Sequence, residues 1–427
     1  MCEYITMREE MQDVLEKNIL RFWLDKMVDH ENGGFYGRID GSGMLHPKAE
    51  KGAILNARIL WTFSAAYRVF GNPEYLEAAK RAKDYIIDHF IDKEYTGVYW
   101  SLDYQGNPLD TKKQFYAIGF AIYGMSELAR ATGDREALEC AMQLFDCIEE
   151  HALDHQYNGY IEACTREWGE IADMRLSELD ANFPKSQNTH LHIIEPYTNL
   201  YRCLKEMQAK ESCDYVPVLG SVLPVGVVVD QKTLNRVEGA LRNIIGIFTD
   251  KILNPETHHL DLFFEMDWTR GAGHLESYGH DIECSWLMHE AALVLGDQKV
   301  LTKVEQIVRK VAKASEKGLR SDGSMIHEAN LTTGHVDDDL HWWVQAENVV
   351  GWFNLYQHFG DESAFDKAER CWNYIKNQLV DWENGEWFWS RHPDGTLNTV
   401  DDKAGFWKCP YHNGRMCLEV IERTKEM

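Results

Sequence analysis

Histidines recur near predicted helix starts in three distant segments, KSQNTHLHIIEPYTNLYR, ESYGHDIECSWL and KCPYHNGRMCLE. Ser and Asn are common N-cap residues, and Pro is common at the first helical position. The candidate starts are Ser186 or Asn188, Ser277 or Gly279, and Pro410. They put His190 and His192, His280, and His412 at the same end of their helices. One such histidine usually caps a helix or fills a core, but three at equivalent positions favour one shared site.

The sequence around His280 suits proton transfer. A helix N-terminus carries about half a positive charge, which favours neutral imidazole. Glu283, three residues on, favours imidazolium and can fix the tautomer of a neighbouring ring. Balanced, these effects would hold the pKa of a histidine near neutrality, where it acts as acid or base. The neighbours Ile282, Trp286 and Leu287 predict that Glu283 is buried rather than on a helix surface.

Arg58 lies in KGAILNARILWTFS, on the helical face of Ile54, Leu55, Trp61 and Thr62. A buried guanidinium needs an anion or several acceptors. The sequence therefore leaves two roles open for Arg58: a member of a structural ion pair, or a clamp for an oxyanion.

A metal site is the main alternative to free histidines. His190 with His192, or His280 with Glu283, offers donor types that zinc or manganese takes. However, the sequence has no HExxH and no tight group of acidic residues at ligand spacing. It also has no GxGxxG after a strand, no Walker loop and no GxSxG elbow. We therefore expect no metal, no nucleotide cofactor and no serine hydrolysis.

Six similar short segments recur along the chain and indicate the elements that position these residues. One landmark residue was taken in each segment, beginning with Gly34, and successive landmarks are 63, 62, 100, 64 and 62 residues apart. Such recurrence is typical of a repeat architecture. The remaining landmarks are Gly97, Gly159, His259, Gly323 and Gly385.

Between landmarks the sequence predicts pairs of helices. The first helix of each pair, such as QFYAIGFAIYGMSELARATG, is apolar nearly all round and indicates a buried helix. The second, such as REALECAMQLFDCIEEHAL, is amphipathic and indicates a surface helix. We predict an all-α (α/α)6 barrel of six helix-pair repeats with short hairpins at one end. An open solenoid is the alternative, but it would need polar capping repeats.

The long third step predicts an insertion at residues 208–235, within a single catalytic domain of residues 1–427. Its alternating Val and Leu with Pro and Gly predict a short hairpin or packed loop. A surface excursion is the simplest interpretation; a lid over a cleft or a dimer contact is the alternative.

Composition excludes several classes of protein. The 427 residues are 44% hydrophobic and 12% aromatic, which excludes disorder. The formal charge of −25 argues against nucleic acid or an anionic membrane as partner. The ten cysteines form no CxxC pair and are expected to be reduced and mostly buried. The most apolar run, residues 215–229, is broken by two prolines, and the first residues lack a signal-peptide pattern, so we expect a cytoplasmic protein.

The chain resembles the N-acylglucosamine 2-epimerase superfamily along nearly its whole length. The resemblance rests on KGAILNARILW, NTHLHIIE, SYGHDIECSWL, WWVQAENVVG and FWKCPYHNGRMC. The last motif is the most specific, because it is similar to the branch of cellobiose and mannobiose 2-epimerases. The superfamily fold is an (α/α)6 barrel, which agrees with the repeats. Residues 208–235 depart from the pattern.

The resemblance implies cofactor-free epimerisation at C2 of the reducing-end sugar of a β-1,4-linked disaccharide, through a cis-enediolate. It implies that His280 and His412 are the acid/base pair and that His192 opens or positions the sugar ring. Arg58 would hold the enediolate oxygen, and Glu283 would support His280. The implied sugar contacts are Asn188, Tyr116, Trp343, Trp407 and Asp180, with Trp407 as a stacking platform and with Trp342 as an alternative to Trp343.

Other functions stay open at the level of the sequence. Aldose–ketose isomerisation, or 2-epimerisation, of a monosaccharide such as mannose or N-acetylglucosamine would use the same enediolate. A barrel that binds or hydrolyses glycans is another class, but inverting hydrolysis needs two carboxylates about 6.5–9.5 Å apart, and the convergent groups here are histidines. The sequence leaves open which disaccharide is used and whether the chain is a monomer or a homodimer.

Overall fold

The computed structural model describes residues 3–178, 180–213, 229–271, 273–425 and 427, and most of them are helical. Three π-helical turns span Leu15–Ile19, Ile86–Phe90 and Phe248–Ile252. A short 3-10 helix spans Glu316–Gly318. The α-helices are α1 (Glu3–Val14), α2 (Leu20–Lys26), α3 (Ala53–Phe70), α4 (Pro73–Tyr85), α5 (Phe115–Thr132), α6 (Arg135–His151), α7 (Gln187–Cys213), α8 (Gln231–Ile247), α9 (Tyr278–Leu295), α10 (Gln298–Ser315), α11 (Trp342–Phe359), α12 (Glu362–Gln378) and α13 (His412–Lys425).

Six helices, α3, α5, α7, α9, α11 and α13, form the inner layer. Each packs against the next in chain order, and α13 also packs against α3, so every inner helix has two inner neighbours. In α3, every residue from Ala53 to Ala66 is buried, as expected for a helix that is apolar all round. In α10, by contrast, burial is confined to one stripe, which includes Val304, Val308 and Val311. The alternation of buried and amphipathic helices is as predicted.

The sixth pair joins the two ends of the chain. Helix α1 and the following π turn pack against α13, so the first helix is the outer partner of the last one. Trp372 of α12 also donates to Glu10 of α1 at 2.8 Å. The sequence repeats predicted six units, but they did not predict this pairing of the two chain ends. The N-terminal helix therefore completes the sixth helix pair.

Four of the links from inner to outer helices are short. Each consists of a glycine in the left-handed conformation followed by an Asn or Asp that caps the next helix. At one of these links, Gly296 has φ of +78°, and Asp297 accepts from the backbone N–H groups of Lys299 and Val300. Glycine tolerates this backbone conformation at no steric cost, and the Asp satisfies free helix donors.

The links from outer to inner helices are long and carry the strands. Short strands before α3, α5, α7, α9 and α11 pair antiparallel with the long link that follows the same helix pair. Ile39, in the first long link, pairs with Ala404, in the last one. The hairpins therefore lie at the end where the inner helices begin. The strands are β1 (Lys51–Gly52), β2 (Ser101–Leu102), β3 (Pro108–Asp110), β4 (Lys113–Gln114), β5 (Ala163–Cys164), β6 (Lys185–Ser186), β7 (Phe263–Phe264), β8 (Leu275–Ser277), β9 (Glu328–Asn330), β10 (His335–Asp337), β11 (Leu340–His341) and β12 (Ser390–Arg391).

A buried lysine–aspartate pair fastens each of the first three long links. Asp29 accepts from the backbone of its own turn, and its other oxygen accepts from Lys51 at 2.8 Å. Lys113 with Asp92 and Lys185 with Asp154 repeat the arrangement. Because each lysine lies two residues before the first residue of an inner helix, these pairs fix where that helix begins.

Part of the predicted insertion at 208–235 is helical, because α7 continues to Cys213 and α8 begins at Gln231. Residues 214–228 lie outside the described residues. None of the helices in the described ranges combines the length and the hydropathy needed to cross a bilayer. Eight cysteines whose side chains the structure describes are free and buried: Cys140, Cys147, Cys164, Cys203, Cys284, Cys371, Cys409 and Cys417.

Candidate active site

A cavity of about 380 Å³ opens where the inner helices begin. Every inner helix contributes a lining side chain from its first six residues. All ten residues predicted as site residues line this one cavity. From the helices these are Arg58, Tyr116, Asn188, His192, His280, Glu283, Trp343 and His412, and from the links Asp180 and Trp407.

The three histidines of the cavity share one arrangement. Each ring is anchored through Nδ1, and within the described residues none of the three Nε2 atoms has a hydrogen-bond partner. This leaves Nε2 as the nitrogen that can exchange a proton with a bound ligand. The Nδ1 partners are Glu195 for His192 at 3.0 Å, Ser277 for His280 at 2.8 Å and Glu347 for His412 at 2.7 Å.

Local helix structure explains these positions. Ser277 is the N-cap of α9, but its hydroxyl contacts His280 instead of capping the helix backbone. His412 is the first residue of α13, two residues later than the start predicted at Pro410. His192 lies in the second turn of α7, not the first, because α7 begins at Gln187.

Burial keeps these histidines neutral. Burial lowers the pKa of His280 to about 3. It also holds the pKa of His412 well below the usual value, helped by the positive charges of Arg58 and Arg415. The sequence predicted a pKa near neutrality for His280, and this expectation was wrong, because no carboxylate offsets the burial. At neutral pH both rings therefore begin as bases.

Arg415 links the carboxylates behind the histidines and was not predicted as a site residue. This fully buried guanidinium contacts Glu195, Glu347 at 2.6 Å and Glu283 at 2.7 Å. Tyr411 donates to Glu195 as well. The charge of Arg415 opposes the effect of burial, so the pKa of Glu195 is lowered. The sequence signal for this buried network is a glutamate inside an otherwise apolar helix, such as Glu347 in WWVQAENVVG.

Glu283 has a partner that the sequence did not predict. It accepts from Arg415 at 2.7 Å, whereas the Nδ1 of His280 contacts Ser277. Burial and the nearby charge of Glu347 raise the pKa of Glu283 well above its usual value. Its Oε2 is buried without a hydrogen-bond partner among the described atoms. If Glu283 is protonated, only Glu195 and Glu347 of the three carboxylates around Arg415 are negatively charged.

Arg58 is a buried cation without a carboxylate partner in the described part of the chain. It donates to the Tyr116 hydroxyl at 2.8 Å and to the Trp407 carbonyl at 3.3 Å. Its guanidinium also lies 4.1 Å from the Phe120 ring centroid. No carboxylate lies within 4.0 Å of it among the described ion pairs. Of the two roles left open by the sequence, this environment suits the oxyanion clamp.

Aromatic and polar groups line the rest of the cavity. Trp342 and Trp343 both line it, and Trp343 is the more exposed of the two. The Trp343 ring lies 4.9 Å from His280 and 5.7 Å from His412, between the two histidines. Asn188 has a buried Oδ1 without a partner in the described structure, so it can accept from a ligand hydroxyl.

Hydrogen bonds within the fold already occupy donors of the metal alternatives weighed from the sequence. His190 uses both ring nitrogens in the fold, because Nδ1 contacts the Ser186 carbonyl at 2.6 Å and Nε2 accepts from the Tyr160 backbone at 3.0 Å. His190 is thus a structural residue. Donor atoms of Glu283, Glu347 and His412 do lie within 4.8 Å of one another, but Arg415 already supplies the positive charge between the carboxylates.

The model of the N-acylglucosamine 2-epimerase family matches residues 34–203 and 228–414. The chain belongs to this family. Its members are carbohydrate epimerases, which are isomerases. The gap in the match, residues 204–227, overlaps the predicted insertion.

Full-length relatives agree with this assignment. A cellobiose 2-epimerase from Bacteroides fragilis is 58% identical, covering 97% of this chain and 98% of the relative. One from Ruminococcus albus is 39% identical, covering 98% and 99%. The solved cellobiose 2-epimerase from Bacillus thermoamylovorans is 39% identical, with a TM-score of 0.86 over 98% of this chain and 99% of that one. The predicted fold class, an (α/α)6 barrel, is thereby confirmed.

Proposed function

We propose that this chain is a disaccharide 2-epimerase. It interconverts the glucose and mannose forms of the reducing-end sugar of a β-1,4-linked disaccharide, such as cellobiose or mannobiose. The observation that carries the proposal is the convergence of three histidines and the carboxylate-free Arg58 on one cavity. The names of the relatives, at up to 58% identity, support the disaccharide over a monosaccharide.

The reaction begins with opening of the sugar ring. His192, oriented by Glu195, is the candidate for moving the proton between the ring oxygen and the anomeric hydroxyl. Trp407 and Trp343 offer flat apolar faces on which a pyranose can stack, while Asn188 and Asp180 can bind hydroxyl groups. Opening exposes the C1 aldehyde and makes the C2 proton acidic.

Proton exchange at C2 follows. The neutral Nε2 of His280 or His412 removes the proton from one face of C2. The other histidine takes up a proton from solvent at its own Nε2 and donates it to the opposite face, and the first histidine then releases its proton to solvent. Because the reaction is reversible, the base in one direction is the acid in the other. This is why two similar neutral histidines serve better than one acid and one base of very different pKa.

The intermediate is an enediolate, whose negative charge needs stabilisation. Arg58 can hold the enediolate oxygen, since no carboxylate in the described structure neutralises it. The N-terminal ends of six helices also face the cavity, and each carries partial positive charge. These groups provide the electrostatic stabilisation without a metal or organic cofactor. We infer a cytoplasmic reaction, consistent with the eight free, buried cysteines of the described ranges.

Hydrolysis fits the cavity poorly. The buried carboxylate that lines it, Glu283, is bound to Arg415 at 2.7 Å. Glu347 shares Arg415 from outside the described lining, and its donor atom lies within 4.8 Å of that of Glu283, closer than the spacing across a scissile bond in an inverting hydrolase.

The test is to incubate the protein separately with cellobiose, mannobiose and mannose, and to follow the products by NMR. The proposal predicts a C2 epimer from at least one disaccharide and turnover of mannose at least about ten-fold lower in kcat/KM. Ketose as the main product, or a preference for mannose, would instead establish an aldose–ketose isomerase or a monosaccharide epimerase. Released glucose would establish a hydrolase.

A further inference from the structure

A second group of metal-binding donors lies outside the catalytic histidines. His327 precedes β9, Asp337 ends β10, and His341 ends β11 immediately before α11. One donor atom from each lies within 4.8 Å of the other two. The Nδ1 of His327 is 2.8 Å and the Nε2 of His341 is 3.8 Å from the same oxygen of Asp337. The two imidazole rings stack with centroids 4.5 Å apart.

Regular backbone structure holds these three residues in place. The β9–β10 hairpin pairs Asp337 with Glu328, and the His327 backbone N–H donates to the Asp337 carbonyl at 3.2 Å. His341 is fixed by its pairing with Ser390 in β12 and by its position as the N-cap of α11. All three donors come from the link between α10 and α11, and paired strands hold this link: β9 pairs with β10 and β8, and β11 pairs with β12.

The donors are also accessible. The exposed fractions of the side chains of His327, Asp337 and His341 are 21%, 33% and 16%. An ion can therefore reach the group from solvent, and a water molecule can complete its coordination. The buried carboxylate of Glu347, which is only 1% exposed, does not offer this access.

We propose that His327, Asp337 and His341 form a binding site for one divalent transition-metal ion of the Zn²⁺ class. Two imidazoles and one carboxylate are a donor set that Zn²⁺, Co²⁺ and Ni²⁺ take readily. Metal–ligand bonds of about 2.1 Å put tetrahedral ligand atoms about 3.4 Å apart. The 2.8 and 3.8 Å separations from Asp337 bracket this value, and the donor atoms of the two histidines lie within 4.8 Å of each other.

Occupation of this site would act on the sugar cavity through Trp343. That residue follows His341 by two positions in α11, and its ring lies 5.7 Å from the ring of His327. An ion that ties the β9–β10 hairpin to the start of α11 fixes the face of Trp343 that lines the cavity. The site contains none of the proton-transfer histidines, so the ion tunes sugar binding and is not needed for turnover.

Calorimetric titration of Zn²⁺ into the tag-free, chelator-treated full-length protein tests the site. We expect one ion per chain and at least about ten-fold weaker binding in both His327→Ala and His341→Ala. The matched control is His335→Ala, an exposed histidine of β10 in the same hairpin, which should bind as the unmodified protein does. With Co²⁺ as the probe, the visible absorption of a four-coordinate ion should appear in the unmodified protein and in His335→Ala, and it should be weaker in His327→Ala and His341→Ala.

Three results would overturn the proposal. These are no binding of Zn²⁺ at millimolar concentration, an affinity of both His327→Ala and His341→Ala equal to that of the unmodified protein, and binding that is lost in Glu347→Gln but kept in His341→Ala. The last result would place the ion in the catalytic cavity. The chelated protein should keep its epimerase turnover, a separate readout from ion binding, so the failure of one proposal does not imply the failure of the other.

Discussion

His192 and His412 are each held through Nδ1 by a carboxylate, and both carboxylates contact Arg415. A neutral imidazole that donates from Nδ1 is a base at Nε2, so this network selects the tautomer needed for proton abstraction. His280 is anchored more weakly, by the hydroxyl of Ser277. The difference indicates that the carboxylates bound to Arg415 hold the rings of His192 and His412 more firmly than the Ser277 hydroxyl holds the ring of His280.

Glu347 should be essential for the proton transfer of His412 without touching substrate. Its carboxylate accepts from His412 at 2.7 Å, from Arg415 at 2.6 Å and from Trp286 at 2.9 Å. In Glu347→Gln the amide nitrogen must face one of these donors. We expect kcat to fall on the order of 10²-fold or more, with a smaller change in KM. Glu362→Gln, on the exposed start of α12, is the control; a kcat of Glu347→Gln within about three-fold of the unmodified protein would refute the role.

His190 should make the fold sensitive to acid. Burial lowers its pKa to about 4, while in the unfolded chain it titrates near 6.5. The unfolded state therefore binds more protons between these values, and stability falls as pH decreases through this window. From pH 7 to pH 5 the residue removes about 2 kcal/mol from the free energy of unfolding.

Urea unfolding of the unmodified protein and His190→Gln at pH 7 and pH 5 measures this contribution. The variant should lose about 2 kcal/mol less between the two pH values, even if it is less stable at both. Parallel losses would show that His190 is not the acid-sensitive group.

At the scale of elements, the glycine–aspartate links set the distance between inner and outer helices. Gly296 has φ of +78°, and a methyl group added to its Cα would meet no heavy atom within 4 Å, so only its backbone conformation resists substitution. Gly296→Ala should cost about 1–2 kcal/mol of stability. Gly239→Ala, in the interior of α8 and equally free of contacts, should instead be neutral or stabilising by up to about 1 kcal/mol. Equal effects in thermal unfolding would contradict this explanation.

The repeat pattern predicted the inner and outer helices because burial dictates their composition directly. It predicted helix starts to within about two residues, since caps such as Ser277 have local signals. It did not predict that α1 completes the sixth pair, because pairing between distant segments has no local signal. For the same reason, Glu347 and Arg415 were missed as site residues: each acts through a contact with another helix.

At the scale of the whole molecule, the ring of helices brings six N-terminal ends to one cavity, and the ten residues predicted from sequence meet there. The common location of the histidines could be predicted from equivalent repeat positions, and that of the sugar-contact residues was implied by the family resemblance. The hydrogen-bond partners of the site residues could not be predicted, since Glu283 lies within reach of both a histidine and an arginine, and only packing selects Arg415. Closure by α13 and α1 explains why chemistry is concentrated at the end of the chain.

The central claim is two-base exchange at C2, and the most direct measurement is NMR of the reaction with cellobiose in deuterium oxide. The account predicts deuterium at C2 of the epimer from the first turnover. It further predicts that His280→Asn and His412→Asn each form epimer on the order of 10² to 10⁴ times more slowly, while the surviving histidine can still exchange deuterium into unreacted sugar. Epimer that retains protium at C2, or near-normal turnover in either variant, would contradict it.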